Sequence, residues 1–304
     1  MTFGGEVNAF PFDTGARAGE RSFSNAPKTT VSDPRSSGRA EGVIRVTFKA
    51  DGGYTHVQRL LESGGLRLRF PRPQGGCEAV VLNTAGGMAE GDHACFDVHA
   101  GAGSRATLVT QSAERIYRSE GTGSVPATRV DVRLRLEEGA SLRWLPQETI
   151  LFDRARLSRR LDAELAADAT LTIFESYIFG RLAAGETQIS GSLHDRWRVR
   201  RAGRLAFADD LRLEGAIASI LDRAACGAGA RACASLLHVA PDAEGMVEGA
   251  RARLATSLEC EWGASAWNGM LVVRLVSRSP QALRKTALEF LDWLPGGGAP
   301  RLWR

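Results

Sequence analysis

The stretch Arg129-Val130-Asp131-Val132-Arg133-Leu134-Arg135-Leu136 alternates charged and apolar residues without a break. Successive side chains of a strand point to opposite faces, so Val130, Val132, Leu134 and Leu136 share one face and Arg129, Asp131, Arg133 and Arg135 the other. The same alternation runs from Arg156 to Leu165, where Leu157, Leu161, Ala163 and Leu165 oppose Arg156, Ser158, Arg160, Asp162 and Glu164. A third run, Leu193 to Arg200, sets Trp197 and Val199 against Arg196, Arg198 and Arg200. Gly-containing breaks recur at Gly52-Gly53, Gly64-Gly65, Gly75-Gly76, Gly101 to Gly103, Gly121 to Gly123 and Gly139, the punctuation of many short strands joined by turns. The body is therefore expected to be mainly β. No fixed-period repeat is visible, so self-similarity gives no support to a propeller or a regular solenoid.

One helix stands out from this background, Gln281 to Leu294. Ser279 can cap it, Pro280 suits its first position and Gly296 suits the stop. Leu283, Ala287, Leu291 and Leu294 would form its buried stripe. A weaker helical pattern lies around Asp222 to Leu237. Residues 1–40 are rich in Ser, Gly, Arg and Pro with little periodicity, which predicts a flexible tail ahead of a single domain over 41–304.

Composition narrows the class. Of 304 residues, 43% are apolar and 24% charged, ordinary for a folded soluble protein. The formal charge is +4, and the only lysines are Lys28, Lys49 and Lys285, so the basic surface is built from arginine. Arginine pairs bidentately with carboxylates, which suits acidic protein partners, and the excess is too small to point to nucleic acid. Five cysteines (Cys77, Cys95, Cys226, Cys233, Cys260) form no C-x-x-C pair, and an odd number cannot all pair within one chain. That usage fits a reducing compartment. Residues 1–40 lack the apolar core of a signal peptide, and no stretch approaches the roughly 20 apolar residues that span a bilayer. A cytoplasmic protein without membrane partners is expected.

Motifs for familiar chemistry are missing. Gly86-Gly87-Met88-Ala89-Glu90-Gly91 is glycine-rich but lacks the Lys-Ser/Thr of a P-loop, and neither a G-x-S-x-G elbow nor an H-E-x-x-H pair occurs. Isolated His56, His194 and His238 read as ordinary surface or core residues. His93, Cys95, Asp97 and His99 would share one strand face and are competent ligands for Ni(II) or Cu(II), although the wet face of an amphipathic strand explains them as simply. Glu148, Asp153 and Glu175 sit among apolar neighbours, where a carboxylate needs either an arginine partner or a function. Acid–base catalysis, metal coordination and buried ion pairing all remain open for them.

Three segments together resemble the UreD (UreH) family of urease accessory proteins. They are Leu82-Asn83-Thr84-Ala85-Gly86-Gly87-Met88-Ala89-Glu90-Gly91-Asp92, Thr110-Gln111-Ser112-Ala113-Glu114-Arg115-Ile116-Tyr117-Arg118-Ser119 and Leu145-Pro146-Gln147-Glu148-Thr149-Ile150-Leu151-Phe152-Asp153. Phe179-Gly180-Arg181 with Gly185-Glu186, and the terminal Pro300-Arg301-Leu302-Trp303, extend the likeness over about 42–304, with Ala85 standing where the family usually has proline. The resemblance implies a β-helix-like, stacked-sheet body with one or two helices. It implies a non-enzymatic metallochaperone scaffold, in complex with UreF and the GTPase UreG and docked on the urease apoprotein. Nickel would be in transit through an internal water-filled passage, with no tightly bound cofactor, and Glu148, Asp153 and Glu175 are candidates for its lining. His93, Cys95 and His99 remain a separate surface candidate. The rival readings are a carbohydrate-active β-solenoid using Glu148 and Glu175 as acid and base, and a purely structural adaptor.

Overall fold

A strand with one apolar face needs a second apolar surface, and this chain supplies it by coiling between two sheets. A computed structural model describes residues 39–71, 77–120 and 126–304. The strands follow one another as β1 (Glu41–Asp51), β2 (Tyr54–Ser63), β3 (Leu66–Arg69), β4 (Cys77–Asn83), β5 (His93–Ala100), β6 (Arg105–Thr110), β7 (Glu114–Ile116), β8 (Thr128–Leu136), β9 (Ser141–Leu145), β10 (Thr149–Leu151), β11 (Ala155–Leu165), β12 (Thr170–Phe179), β13 (Gly191–Arg201) and β14 (Arg204–Gly215). A short helix α1 (Ile217–Asp222), β15 (Ala232–Val239), α2 (Val247–Leu254), β16 (Glu261–Trp267), β17 (Met270–Ser277) and α3 (Pro280–Trp293) complete the order. The first sheet runs β14-β13-β11-β8-β5-β1-β2, and the second runs β16-β17-β15-β12-β9-β6-β4-β3.

Within the first sheet β1, β5, β8, β11 and β13 are all parallel, as are β4, β6, β9 and β12 in the second. Parallel neighbours cannot be joined by a tight turn, and here each crossover passes through the opposite sheet. The result is a helix-like coil with unequal steps. His93 lies beside Arg129, Arg129 beside Ser158, and Ser158 beside His194. Unequal steps leave no period in the sequence, which is why the coil is invisible to a repeat search. Antiparallel β2 and β14 close the ends of the first sheet.

The alternating runs do what their pattern predicts. Val132, Leu134, Leu161, Ala163, Leu193 and Val199 point between the sheets into one core with Leu108, Leu142 and Ile173 of the second sheet. Phe96 and Trp144 meet there edge to face, 5.4 Å apart. The outer face of the first sheet is wet, and its rows pair opposite charges: Arg133 stands between Asp97 and Asp162. All five cysteines are free.

The second sheet has no wet face at its centre. Its far side packs on α2 and α3 in a second core holding Leu145, Phe174, Leu236, Leu283, Ala287, Phe290, Leu291 and Trp303. The α3 start follows the sequence signal, with Ser279 Oγ accepting from Ala282 N at 3.2 Å and Pro280 in the first turn. Its stripe also takes in Phe290, which the spacing argument passes over. The expected helix around Asp222 to Leu237 is corrected. Helix ends at Asp222, turns follow around Gly227 and Gly229, and Ala232–Val239 is a strand between β12 and β17. Tertiary pairing overrides an alanine-rich local preference. The tail expected over 1–40 falls, apart from its last two residues, outside the described residues. Among the described residues no helix is long and apolar enough to cross a membrane.

The C-terminus closes the second core. Trp303 lies edge-on to Phe174 at 5.2 Å, donates from Nε1 to the Leu145 carbonyl at 3.1 Å and carries the Arg284 guanidinium over its ring. Trp303→Ala should therefore destabilise the full chain by about 3–5 kcal/mol. The check is the urea midpoint, and an unchanged midpoint would detach the terminus from the core.

Candidate functional site

At one edge of the coil a third, narrow row of strands forms. Thr149–Leu151 pairs in parallel with Glu114–Ile116 on one side and with Tyr177–Phe179 on the other. Met88 extends the row, its N–H bonded to the Arg115 carbonyl at 2.8 Å and its carbonyl to Tyr117 N at 2.9 Å. The three segments that carry the family resemblance, far apart in sequence, are thus stacked on one another. Asn83 Nδ2 of the first donates to both Glu114 carboxylate oxygens of the second at 3.1 Å, and Glu114 N donates to the Glu148 carbonyl of the third at 2.9 Å. Gly87 is required by contact, since a Cβ there would lie 2.6 Å from the Tyr117 ring. Gly180 is required twice over: its φ is 90°, and a Cβ would lie 2.3 Å from the Glu186 carbonyl oxygen.

The row has an apolar line, Ile116, Leu151 and Phe179, and one step along it a polar line, Glu114, Thr149 and Tyr177. Both face inward. Beside the polar line, charged groups lie between the two sheets. Glu175 of β12 is 1% exposed and is ion-paired with Arg159 Nη2 of β11, and its Oε1 also accepts from Trp144 Nε1 at 2.7 Å. Asp195 of β13 accepts from Trp197 Nε1 at 3.1 Å. Glu175 is the carboxylate paired with Arg159, and Asp195 adds a second buried negative charge that acts on the same guanidinium without a direct contact. Among the described residues, Glu175 Oε2 and Arg159 Nε have no hydrogen-bond partner.

Burial pushes Glu175 up to about 7 even though Arg159 pulls the other way, and it pushes Asp195 up as well. Glu114 is also raised by burial, with the Asn83 amide opposing. Such a cluster either holds a proton or attracts a cation.

The sequence-derived candidates are dispersed. Glu148, 6% exposed, is held by Arg284 Nη1 of α3 at 2.7 and 2.8 Å. Arg284 Nη2 reaches the Trp303 carbonyl at 2.7 Å, and Gln147 Nε2 donates to the carbonyls of Thr110, Gln111 and Leu302. Glu148 thus clamps the C-terminus to the stacked edge. Asp153 lies at the turn into β11 and accepts from Ser190 N and Oγ at 2.9 and 3.1 Å. Of the three, only Glu175 lies between the two sheets. Acid and base for glycoside hydrolysis must flank one groove, whereas Glu148 and Glu175 are buried and bound by different arginines.

His93, Cys95, Asp97 and His99 do share the outer face of β5. His93 Nε2 is 2.8 Å from Asp131 Oδ2, His99 Nε2 is 2.8 Å from Glu137 Oε1, and burial raises the Cys95 thiol. Among the described residues no group of three or more His, Cys, Asp or Glu is gathered as a cation site requires.

Sequence reasoning missed Arg159, Asp195, Tyr177 and Glu114. A signal existed for two of them, because Arg159 and Asp195 occupy the apolar phase of their strands.

These observations define a coiled two-sheet β scaffold whose shared motifs build one stacked edge beside a buried acidic cluster. The UreD urease accessory protein profile matches residues 40–304. The chain is 49% identical over 265 residues to a urease accessory protein UreD of Xanthobacter autotrophicus, covering 87% of this chain and 90% of that protein. It is 49% identical over 283 residues to one of Methylobacterium sp. strain 4-46, at 90% and 98% coverage, and 46% identical over 266 residues to one of Azorhizobium caulinodans, at 87% and 96%. The chain belongs to the UreD family of urease accessory proteins.

The raised Glu175 gives a signed pH dependence. Between about 4.5 and about 7 the folded state holds a proton that the unfolded state has released, so stability from this group is present at the acid end and lost as pH rises. The stability difference between wild type and Glu175→Gln should shift by on the order of 3 kcal/mol across that window, in favour of the variant at the higher pH. Urea titrations of both proteins at four pH values measure it, and a constant difference would show Glu175 ionised throughout.

Proposed function

We propose that this protein is a cytoplasmic scaffold for nickel insertion into urease, working with UreF and the GTPase UreG on the urease apoprotein and catalysing no reaction itself. The ion crosses the polar interior between the sheets, past Glu175 and Asp195, with Glu114 and Asn83 leading in from the stacked edge. The observation that carries this reading is the imbalance of the buried cluster, two carboxylates against one guanidinium with a carboxylate oxygen left, among the described residues, without a partner. Unpaired polar atoms of this kind call for water, and a hydrated acidic interior suits a divalent cation. Carboxylates and tyrosine replace part of the ion's hydration yet bind weakly enough to release it, the compromise that channels make. A thiolate cage would hold nickel instead of passing it on. In this reading Asp153 lies at the surface beside the passage, and Glu148 holds the scaffold together.

Omitting this chain from a co-expressed urease operon, in a host without its own homologue, should leave urease present but poor in nickel and inactive. Glu175→Gln with Asp195→Asn should lower nickel per urease active site while pull-down still recovers the accessory complex. Glu148→Gln, by releasing Arg284, should instead reduce solubility or complex recovery. Full nickel delivery by the Glu175/Asp195 double variant would leave a structural adaptor as the better description.

A further inference from the structure

A cavity of about 680 Å³ lies on the helix side of the second sheet, beyond the C-terminal end of α3. Its floor is a polar row crossing five strands. Glu78 pairs with Thr107, Thr107 with Arg143, Arg143 with Thr172 and Thr172 with His238. Two residues further along the same strands stand Val80, Val109, Leu145, Phe174 and Leu236, which join the core under α3. The sheet face therefore changes from apolar to polar where the helix stops.

Arg143 is the centre of the row and is only 6% exposed. Its Nη1 donates to the Gly296 carbonyl at 3.0 Å, while Nε and Nη2 have no hydrogen-bond partner among the described residues. Those two nitrogens form the side edge of the guanidinium, the edge that grips a carboxylate or phosphate with two parallel hydrogen bonds. Orphaned buried donors cost stability unless something satisfies them. Burial lowers the Arg143 pKa to about 10, with Asp292 and Glu78 opposing from a distance.

The wall over this guanidinium is Pro295-Gly296-Gly297-Gly298. A Cβ on Gly296 would stand 3.4 Å from Arg143 Cδ, and one on Gly297 3.8 Å from Nη1. All three glycines have positive φ, so the loop approaches with backbone alone. His238, bonded through Nδ1 to Thr172 Oγ1 at 2.9 Å and lowered by burial, adds a neutral polar group. In the lining Arg105, Arg143 and Arg301 outnumber Glu78 and Asp242.

We propose that this cavity binds a ligand through an oxyanion group, phosphate or carboxylate, seated on the Nε and Nη2 edge of Arg143. The volume is that of a site for an organic molecule, so the oxyanion is one end of a larger body. Nothing in the nickel-passage reading requires this site, and it stands or falls separately.

The test is titration of the full chain with inorganic phosphate and, separately, acetate, followed by thermal midpoint and calorimetry. Saturable stabilisation by either probe is expected, a response to phosphate indicating a tetrahedral group and to acetate a planar one. Arg143→Gln should weaken the apparent Kd by about tenfold or more, and Arg143→Lys, which keeps the charge but loses the fork, should bind between the two. Hydrogen exchange of the amides of residues 296–299 in the wild type provides a readout that does not depend on the variants folding, and the bound probe should slow it. Equal affinity in wild type and Arg143→Gln, or no saturation by either probe together with unchanged exchange at 296–299, would overturn the proposal.

Discussion

Burial of the second sheet on both faces is the constraint from which the rest follows. Every residue from Leu171 to Tyr177 of β12 is buried, because one face meets the first sheet and the other meets α3 and Trp303 at Phe174 and the floor of the cavity beyond the helix at Thr172. A polar group on that strand has little water to turn to on either side. Thr172 therefore bonds His238, and Glu175 takes Arg159 and Trp144. The first sheet has one dry face only, and its polar residues can form charge rows in solvent. The two sheets obey one rule, that polar groups go to water or to each other, under different boundary conditions.

That difference explains what could be read from the sequence. The strands β8, β11 and β13 were legible because a half-buried strand alternates cleanly. β12 and β15, dry on both sides, do not alternate, and β15 could be mistaken for part of a helix. The coil itself was illegible because its steps are unequal. The C-terminal helix was legible from local chemistry, since a serine cap and a proline in the first turn act without tertiary help. For the site, apolar neighbours correctly marked Glu148 and Glu175 as buried but could not show that different arginines hold them. Arg159 and Asp195 were visible in principle as charged residues in the apolar phase of an alternating run. An inward-phase charge in an otherwise clean pattern is a sharper signal than a carboxylate among apolar sequence neighbours, because phase states the face and composition does not.

The shared motifs also read differently once folded. Their glycines, Asn83, Glu114, Gln147 and Glu148 serve to lay successive turns of the coil on one another and to tie the C-terminus to them. A motif in this protein is a joint between turns of the coil. The likeness thus carries architecture directly and chemistry only through what the joined edge encloses.

Three arginines, Arg143 and Arg159 buried and Arg284 half-buried, then differ in a way that bears on role. Arg284 has both terminal nitrogens engaged: Nη1 grips both oxygens of Glu148 and Nη2 reaches the Trp303 carbonyl. Such a pair is costly to break, and its completeness argues for a structural role. Arg159 pairs with Glu175 and feels Asp195 as a second carboxylate, and among the described residues its Nε has no partner, so its surroundings combine surplus acidic groups with unfilled hydrogen-bonding capacity. Arg143 is the converse, a buried cation whose only hydrogen bond among the described residues is to a backbone carbonyl. If folding alone had shaped these positions, a neutral side chain of similar volume would be cheaper at both incomplete sites. The two incomplete sites have opposite sign and lie on opposite sides of the second sheet, one suited to a cation and the other to an anion. The sheet between them keeps the two charges apart, so each can stay incomplete without the other neutralising it.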